Sequence, residues 1–304
     1  MNATDWDRKF ETWKQPSGTD EATKCENAER IIRNAISRSA ALNKRDIRVA
    51  AHGSYRNNTN VRQNSDVDIY VCCYDTFFHD FSHAQDFDKD TVGITPAIYL
   101  YPQFKSELQD ALLAAFGPSG VTPGNKAFDV HANTYRVDAD VVACFEYRRY
   151  TTGNKYNGFK YDSGIKFFSA SNEEVINWPE QNHSNGTTKN NATNYFYKYV
   201  TRIIKRLRYE MADSNISAAS AIPSYLVECM VYHLPNTSFQ HPTYYNDVRD
   251  VLATLYHALK PGGEADEAFV EVNERKYLFS WTQPWTRTQA FNFVSATWNY
   301  IGFE

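Results

Sequence analysis

Two periods of hydrophobic and polar residues succeed one another along the chain. The stretch "CENAERIIRNAISRSAAL" repeats apolar residues every three to four positions, which predicts a helical region from Thr4 to about Ser39. The runs "DIRVAAH" and "SDVDIYVCCY" are β-branched and partly alternating, which is typical of strands. The run "AFDVHANTYRVDADVVACFEYRRY" predicts one or two further strands.

After about Gly164 the helical period alone remains. Four segments show it, and they are "ATNYFYKYVTRIIKRLRYEM", "SAIPSYLVECMVYHL", "HPTYYNDVRDVLATLYHAL" and "RTQAFNFVSATWNYIGF". The pattern therefore predicts an α+β protein with a mixed sheet and flanking helices in residues 1–165. A helical domain follows in residues 166–304.

Composition narrows the class of protein. The 304 residues carry a formal net charge of −4, which excludes a global basic surface for nucleic acid. The five cysteines form no CxxC pair and no zinc spacing, so they indicate free thiols in a reducing compartment. The N-terminus is polar, and no apolar run reaches the about 18 residues that cross a bilayer. We expect a cytoplasmic protein without a membrane segment.

The segment from Ala51 to Val71, "AHGSYRNNTNVRQNSDVDIYV", contains the most informative pattern. Side chains alternate across a strand, so Asp66 and Asp68 point to the same side. Two carboxylates this close repel each other, and a divalent cation removes the conflict. Mg²⁺ prefers oxygen ligands from one or two carboxylates and substrate phosphates, and Mn²⁺ is an alternative. The pattern predicts a metal site.

A third carboxylate is available on a later strand-like run, "YRVDADVVACF". Asp138 and Asp140 share one face of that run, and either could complete the site. Three carboxylates on neighbouring strands can hold two metal ions, which stabilise the attacking and leaving oxygens of an in-line phosphoryl displacement.

Gly53 and Ser54 lie between the first strand and the carboxylates. Glycine allows close approach of the backbone, and Ser54 can open a helix whose free N–H groups receive a triphosphate. The loop from Tyr55 to Ser65 adds Asn and Arg side chains suited to phosphate oxygens. A lone Asp-x-Asp is more often a solvated strand edge, and Gly-Ser is commonly a simple turn. Their combination at this spacing is much more specific.

This signature resembles that of the polymerase-β-like nucleotidyltransferases. The chain is more closely similar to the bacterial cGAS/DncV-like nucleotidyltransferases, or CD-NTases, and within them to the CdnE-like clade. The further matches are Asp140 in "ADVVACF", the stretch from Trp178 to Asn190, "RIIKRLR" and "PSYLVECMVY". The resemblance spans nearly the whole chain.

The resemblance implies a nucleotidyltransferase core followed by a helical domain, with the active site in the cleft between them. Residue by residue, Asp66, Asp68 and Asp140 match the metal-binding triad, which favours Asp140 over Asp138. The phosphate-binding turn is matched by Gly53 and Ser54. The positions that contact the donor triphosphate are matched by Lys205 and Ser224. Ala143 departs from the proline that many members have there.

The resemblance also implies a reaction. We expect synthesis of a uridine-containing cyclic dinucleotide, such as cyclic UMP-AMP or cyclic di-UMP, from UTP and ATP in anti-phage defence. A downstream effector would read the product, and the enzyme would act as a monomer without a nucleic-acid activator. Asn177 and Asn182 are the candidate base contacts, and tyrosine side chains of the helical half could stack on the base.

Three alternatives remain open at this point. A template-free RNA nucleotidyltransferase would need an open basic track, which the net charge of −4 does not favour. A catalytically silent nucleotide-binding module is disfavoured by the intact Asp66, Asp68 and Asp140. For Lys205, which belongs to a basic stripe with Lys198, a solvated helix face is the alternative to a phosphate contact.

Overall fold

A computed structural model of the chain describes residues 1–16, 18–61, 66–263 and 269–303. The chain forms two compact units. The sheet unit consists of residues 18–55 and 63–179, and the helical unit of residues 1–17, 56–62 and 180–304. The predicted division had its boundary at residue 165. In the structure that residue lies within a strand, and the sheet unit continues to residue 179.

The elements follow one another along the chain in a mixed α and β order. In the first half they are α1 (Ala3–Trp13), α2 (Thr19–Arg38), β1 (Ile47–Ala51), α3 (Gly53–Arg56), β2 (Val67–Asp80), α4 (Lys89–Val92), α5 (Tyr101–Phe116), β3 (Val121–Pro123), β4 (Phe128–Val130) and β5 (Ala139–Asn154). In the second half they are β6 (Gly158–Phe168), β7 (Glu174–Asn177), α6 (Pro179–Ala192), α7 (Phe196–Asp213), α8 (Ser217–Ser220), α9 (Ser224–Tyr232), α10 (Tyr244–Leu259) and α11 (Arg287–Ile301).

The sheet unit is built on one mixed sheet. Its described strands are seven, in the order β1-β2-β5-β4-β3, and β6 pairs with β5 and β7. The pair β2 and β5 is parallel, whereas the other pairs are antiparallel. Both central strands contain a continuous apolar run near their start, as expected of strands buried on two faces. The predicted mixed sheet with flanking helices is confirmed.

The helical unit has its own core around α7. The predicted helical region from Thr4 to about Ser39 is indeed helical, but it is divided into two helices. These are α1 and α2, and the break contains Pro16 and Gly18, which both disfavour helix. Trp6 and Phe10 of α1 are buried in the core of the helical unit, although they lie at the opposite end of the chain from most of it.

Two expectations from composition can be compared with the structure. All five cysteines are free thiols, as predicted, and the structure shows that all five are buried. Among the residues that the structure describes, no helix has the length and apolar character needed to cross a membrane.

Candidate active site

The carboxylates converge because three strands pair side by side. Asp68, the second residue of β2, lies opposite Asp140 in the parallel β2–β5 pair. Asp129, at the centre of β4, lies opposite Asp140 from the other side in the antiparallel β4–β5 pair. Residues directly opposite each other in neighbouring strands present their side chains on the same face. The structure therefore sets three carboxylates in a row across the sheet.

Asp66 and Asp138 lie next to this row, just before their strands begin. Val67 donates a backbone hydrogen bond of 2.9 Å to the carbonyl of Asp138, which holds the two strand starts together. The charge of Asp138 is, after burial, the largest cause that raises the pKa of Asp66. The predicted pair of Asp66 and Asp68 is thus part of a larger acidic cluster.

Burial and mutual repulsion both disfavour ionisation in this cluster. The pKa of Asp140 is raised to about 7 by burial, by a hydrogen bond with Asp129, and by the charges of Asp68 and Asp66. Burial also raises the pKa of Asp68, against the opposing effect of His52. Ionising all of these carboxylates together therefore costs free energy, and a bound cation would reduce that cost.

A divalent cation fits this donor set. Carboxylate oxygens are hard ligands, and a bound cation would lessen the repulsion that, together with burial, raises the pKa of Asp66 and Asp140. Within the described part of the chain, however, no group of three or more His, Cys, Asp or Glu side chains is placed so that it could hold a metal ion. This agrees with an ion such as Mg²⁺, which takes one or two carboxylates and completes its shell with water and substrate phosphates.

Asp129 is the residue that sequence reasoning missed. It is exposed and central in a strand of only three residues, "FDV", and no nearby motif singles it out. Its position becomes meaningful only through the pairing of β4 with β5.

Gly53 lies against one of these carboxylates. Its φ of +66° is a conformation that non-glycine residues rarely adopt, and a Cβ there would lie 2.4 Å from Oδ2 of Asp68. His52, the preceding residue, donates a backbone hydrogen bond of 2.8 Å to the carbonyl of Asp68. The half-buried Ser54 follows in the short helix α3. The phosphate-binding roles of Gly53 and Ser54 stay predictions.

We expect Gly53→Ala to lower kcat by about a hundredfold. The new methyl group must push the Asp68 carboxylate aside, and a displacement of about 1 Å at a reacting centre can cost that much. Steady-state kinetics of pyrophosphate release will measure the effect. Gly93→Ala is the matched control, because its φ is also positive at +78° but no atom lies within 4 Å of the added Cβ. Wild-type kcat in Gly53→Ala would contradict the packing argument.

The structure also separates the two candidates for the third carboxylate. Asp138 accepts a hydrogen bond of 2.6 Å from the backbone N–H of Ala132, so it holds the preceding loop. Asp140 lies between Asp68 and Asp129.

We therefore expect Asp140→Asn to be nearly inactive and Asp138→Asn to keep appreciable activity. The reason is that only Asp140 lies directly beside Asp68 in the strand register. Initial rates of both variants at saturating nucleotide decide the order. The reverse order would give the third-carboxylate role to Asp138.

Comparison with known proteins identifies the architecture. A family model of the cGAS/DncV-like nucleotidyltransferase C-terminal helical domain matches residues 184–302, and a nucleotidyltransferase domain model matches residues 30–117. The cyclic dipyrimidine nucleotide synthase CdnE of Legionella pneumophila is 44% identical over 297 residues, which cover 98% of both chains. The chain belongs to the cGAS/DncV-like nucleotidyltransferase family. The prediction of an enzyme of this family is confirmed.

Other relatives and solved structures agree. The cyclic dipurine nucleotide synthase of Elizabethkingia meningoseptica is 37% identical over 96% of this chain and 97% of its own. The structure of Rhodothermus marinus CdnE c-UMP-AMP synthase with Apcpp and Upnpp has a TM-score of 0.85 at 28% identity, and the match covers 100% of this chain and 97% of that chain. The predicted nucleotidyltransferase fold with a C-terminal helical domain is confirmed. Members of this family share a divalent metal requirement, which the acidic cluster fits.

In this CD-NTase, the two residues predicted to contact the triphosphate, Lys205 and Ser224, have different surroundings within the helical unit. Lys205 is 2% exposed and forms an ion pair of 2.7 Å with the equally buried Glu228 of α9. Its ammonium group also donates a hydrogen bond of 3.0 Å to Thr59. The structure does not favour a triphosphate contact by Lys205, because its donors face protein partners. Ser224 is half-buried at the first position of α9, and its role stays a prediction.

Lys198 is a better candidate for a triphosphate contact than Lys205, the other lysine of the basic stripe. It lies on the same face of α7, about two turns before Lys205. Its side chain is half-buried, and burial lowers the pKa of its ammonium group. No hydrogen bond or ion pair of that ammonium group occurs within the described residues. Sequence periodicity gave both lysines the same face and could not separate them.

The candidate base contacts also differ. Asn182 is buried, and its side-chain oxygen accepts a hydrogen bond of 2.8 Å from the hydroxyl of Tyr225. Asn177 is half-buried at the end of β7, and within the described chain its amide has no hydrogen-bond partner. The structure therefore favours Asn177 over Asn182.

The loop from Tyr55 to Ser65 is described only as far as residue 61, and residues 62–65 lie outside the described part. Arg56 forms two hydrogen bonds of 2.6 Å with the carboxylate of Glu180, and Asn57 donates to Glu228. The predicted phosphate-binding use of these two side chains is not favoured, because both have carboxylate partners.

Proposed function

We propose that this enzyme joins two ribonucleoside triphosphates into a cyclic dinucleotide, using Mg²⁺ held by Asp66, Asp68 and Asp140. The single observation that carries the proposal is the row of Asp68, Asp140 and Asp129 across three paired strands, with Gly53 packed against Asp68. Mg²⁺ bound there would supply charge stabilisation to the attacking and leaving oxygens.

The chain's own residues supply orientation and proton transfer. A ribose hydroxyl of one nucleotide attacks the α-phosphorus of the other, and the bond to the β-phosphate oxygen breaks to release pyrophosphate. The hydroxyl proton passes to a carboxylate, for which Asp140 is the candidate because it lies at the centre of the row. The half-buried Lys198 is the candidate for the triphosphate. A second transfer of the same kind closes the ring.

We propose that the product contains at least one uridine. Two of the relatives, from Legionella pneumophila and Cecembia lonarensis, are cyclic dipyrimidine nucleotide synthases, at 44% and 36% identity. A polar side chain aimed at the base edge discriminates strongly, since the wrong base leaves a buried polar group unpaired. The amide of Asn177 is the candidate reader.

Omission of single nucleotides tests the product. The enzyme is incubated with Mg²⁺ and all four ribonucleoside triphosphates, or with each one left out, and the products are identified by mass spectrometry. We expect radiolabelled UTP to enter a cyclic dinucleotide that resists phosphatase because it has no terminal phosphate, and product to fall sharply when UTP is absent. Full product from ATP and GTP alone would refute the uridine proposal. A ladder of longer linear products would indicate an RNA nucleotidyltransferase instead.

The proposal extends to the setting of the reaction. As implied by the family, the product would act as an anti-phage defence signal that a downstream effector reads. The enzyme would act in the cytoplasm as a monomer, with UTP and ATP as its substrates and without a nucleic-acid activator. Light scattering and activity assays without added nucleic acid test the last two points.

A further inference from the structure

The segment 56–61 lies shortly after the Gly53–Ser54 turn of the proposed site, with only Tyr55 between them. Asp66 comes later in the sequence, after residues 62–65, which lie outside the described part. Although the turn belongs to the sheet unit, residues 56–61 pack with the helical unit. The contacts that hold this segment are therefore able to determine where the chain leaves the turn.

A buried polar network holds the segment through one hydroxyl group. Thr59 donates a hydrogen bond of 2.6 Å to Oε2 of Glu228, and Lys205 donates one of 3.0 Å to the Thr59 hydroxyl. Lys205 and Glu228 also pair directly at 2.7 Å. All three residues are at most 2% exposed. The hydroxyl of Thr59 thus both donates to and accepts from a buried ion pair.

A second buried cation holds the adjacent backbone. Arg202, which is also 2% exposed, donates a hydrogen bond of 2.5 Å to the carbonyl of Asn58 and another of 2.5 Å to the carbonyl of Lys14. Asn58 has a φ of +53°, a left-handed conformation that asparagine tolerates better than most residues. The carbonyl group of this turn residue is bonded directly to Arg202.

A buried polar network of this kind contributes little to the free energy of unfolding. A buried ion pair can often be replaced by packed apolar side chains without loss, because desolvation offsets the attraction. The network instead fixes the position of the segment, because its hydrogen bonds define one position for Thr59 and one for the Asn58 carbonyl.

We propose that Thr59, Lys205, Glu228 and Arg202 are positioning residues for nucleotidyl transfer. They fix the conformation of residues 56–61, and through it that of the adjoining Gly53–Ser54 turn. The proposal rests on the proposed function for its kinetic consequence, whereas its structural consequence can be measured without any turnover.

Thr59→Val tests the proposal with little change in volume. Thr201→Val is the matched control, because Thr201 is equally buried in the same unit but donates its hydroxyl to the backbone of Tyr197, at 2.7 Å. We expect Thr59→Val to lower kcat by about ten- to hundredfold and to speed amide hydrogen exchange in residues 56–61. Thr201→Val should change neither. Thr59→Ser, which keeps the hydroxyl, should restore both.

Two results would overturn the proposal. One is wild-type exchange in residues 56–61 of Thr59→Val, and the other is an equal loss of kcat in both valine variants. If Thr59→Val fails to fold, Thr59→Ser and Glu228→Gln are compared in the same way. Wild-type enzyme that makes no cyclic product would refute the proposed function but not the exchange result, so the two failures are distinguishable.

Discussion

We expect the double variant Asp66→Ala/Asp68→Ala to lose nucleotidyl transfer by at least about 10³-fold and to keep its fold. Metal ions stabilise the transition state by several kcal/mol, and each 1.36 kcal/mol is a factor of ten in rate. Removing these two carboxylates should cost little stability, since burial raises the pKa of both groups and the charges of neighbouring aspartates raise that of Asp66 further.

The raised pKa values set the direction of a pH effect. A carboxyl group whose pKa is higher in the folded state supports folding below its unfolded pKa, and this support is lost as the pH rises through the folded value. For Asp140 the window runs from the ordinary aspartate range, about 4, up to about 7. Without divalent cations, the wild type should therefore lose stability across this window relative to Asp140→Asn.

Pyrophosphate release measures the loss of nucleotidyl transfer in the double variant, and thermal unfolding across the whole window, from about pH 4 to about pH 8, measures the pH effect on stability. Added Mg²⁺ should raise the melting temperature of the wild type but not that of the double variant. Asp75→Ala is the control, because Asp75 lies on the same strand but pairs with Arg45 at 3.2 Å. Full turnover by the double variant would remove the metal assignment.

Lys205→Met should destabilise the protein by about 3–5 kcal/mol, because it leaves the Glu228 charge buried without its partner. Urea denaturation measures the loss. In Lys205→Met/Glu228→Met, where no uncompensated charge remains, we expect most of the stability to return. A stable Lys205→Met variant with a raised nucleotide KM would instead restore the triphosphate role predicted from sequence.

Lys198→Met is the matched comparison on the same helix face. Its ammonium group forms no hydrogen bond and no close ion pair with the described residues, so its loss should change stability by less than about 1 kcal/mol. If it binds the triphosphate, the nucleotide KM should rise by about ten- to hundredfold, which corresponds to an ionic hydrogen bond of about 1.5–3 kcal/mol. An unchanged KM would remove Lys198 from the proposed site.

The sequence by itself determined the features that depend on local backbone geometry. The alternation of a strand predicted two neighbouring carboxylates, Asp66 and Asp68, at the start of β2 without knowledge of the fold, and the structure places Asp68 in the strand and Asp66 just before it. The need for glycine at position 53 was readable for a similar reason, since a tight approach after a strand demands a residue without a Cβ. The helical period likewise predicted the apolar face of α7.

Only the tertiary structure decided which distant residues meet. Asp129 enters the acidic row because β4 pairs with β5, and a three-residue strand has no period that predicts its partner. The charge of Lys205 is neutralised by Glu228 from α9, and its ammonium group also donates a hydrogen bond to Thr59 in the loop after α3. Its burial therefore depends on two other segments of the chain. Local patterns constrain the direction of a side chain, whereas packing between separate segments decides what that side chain contacts.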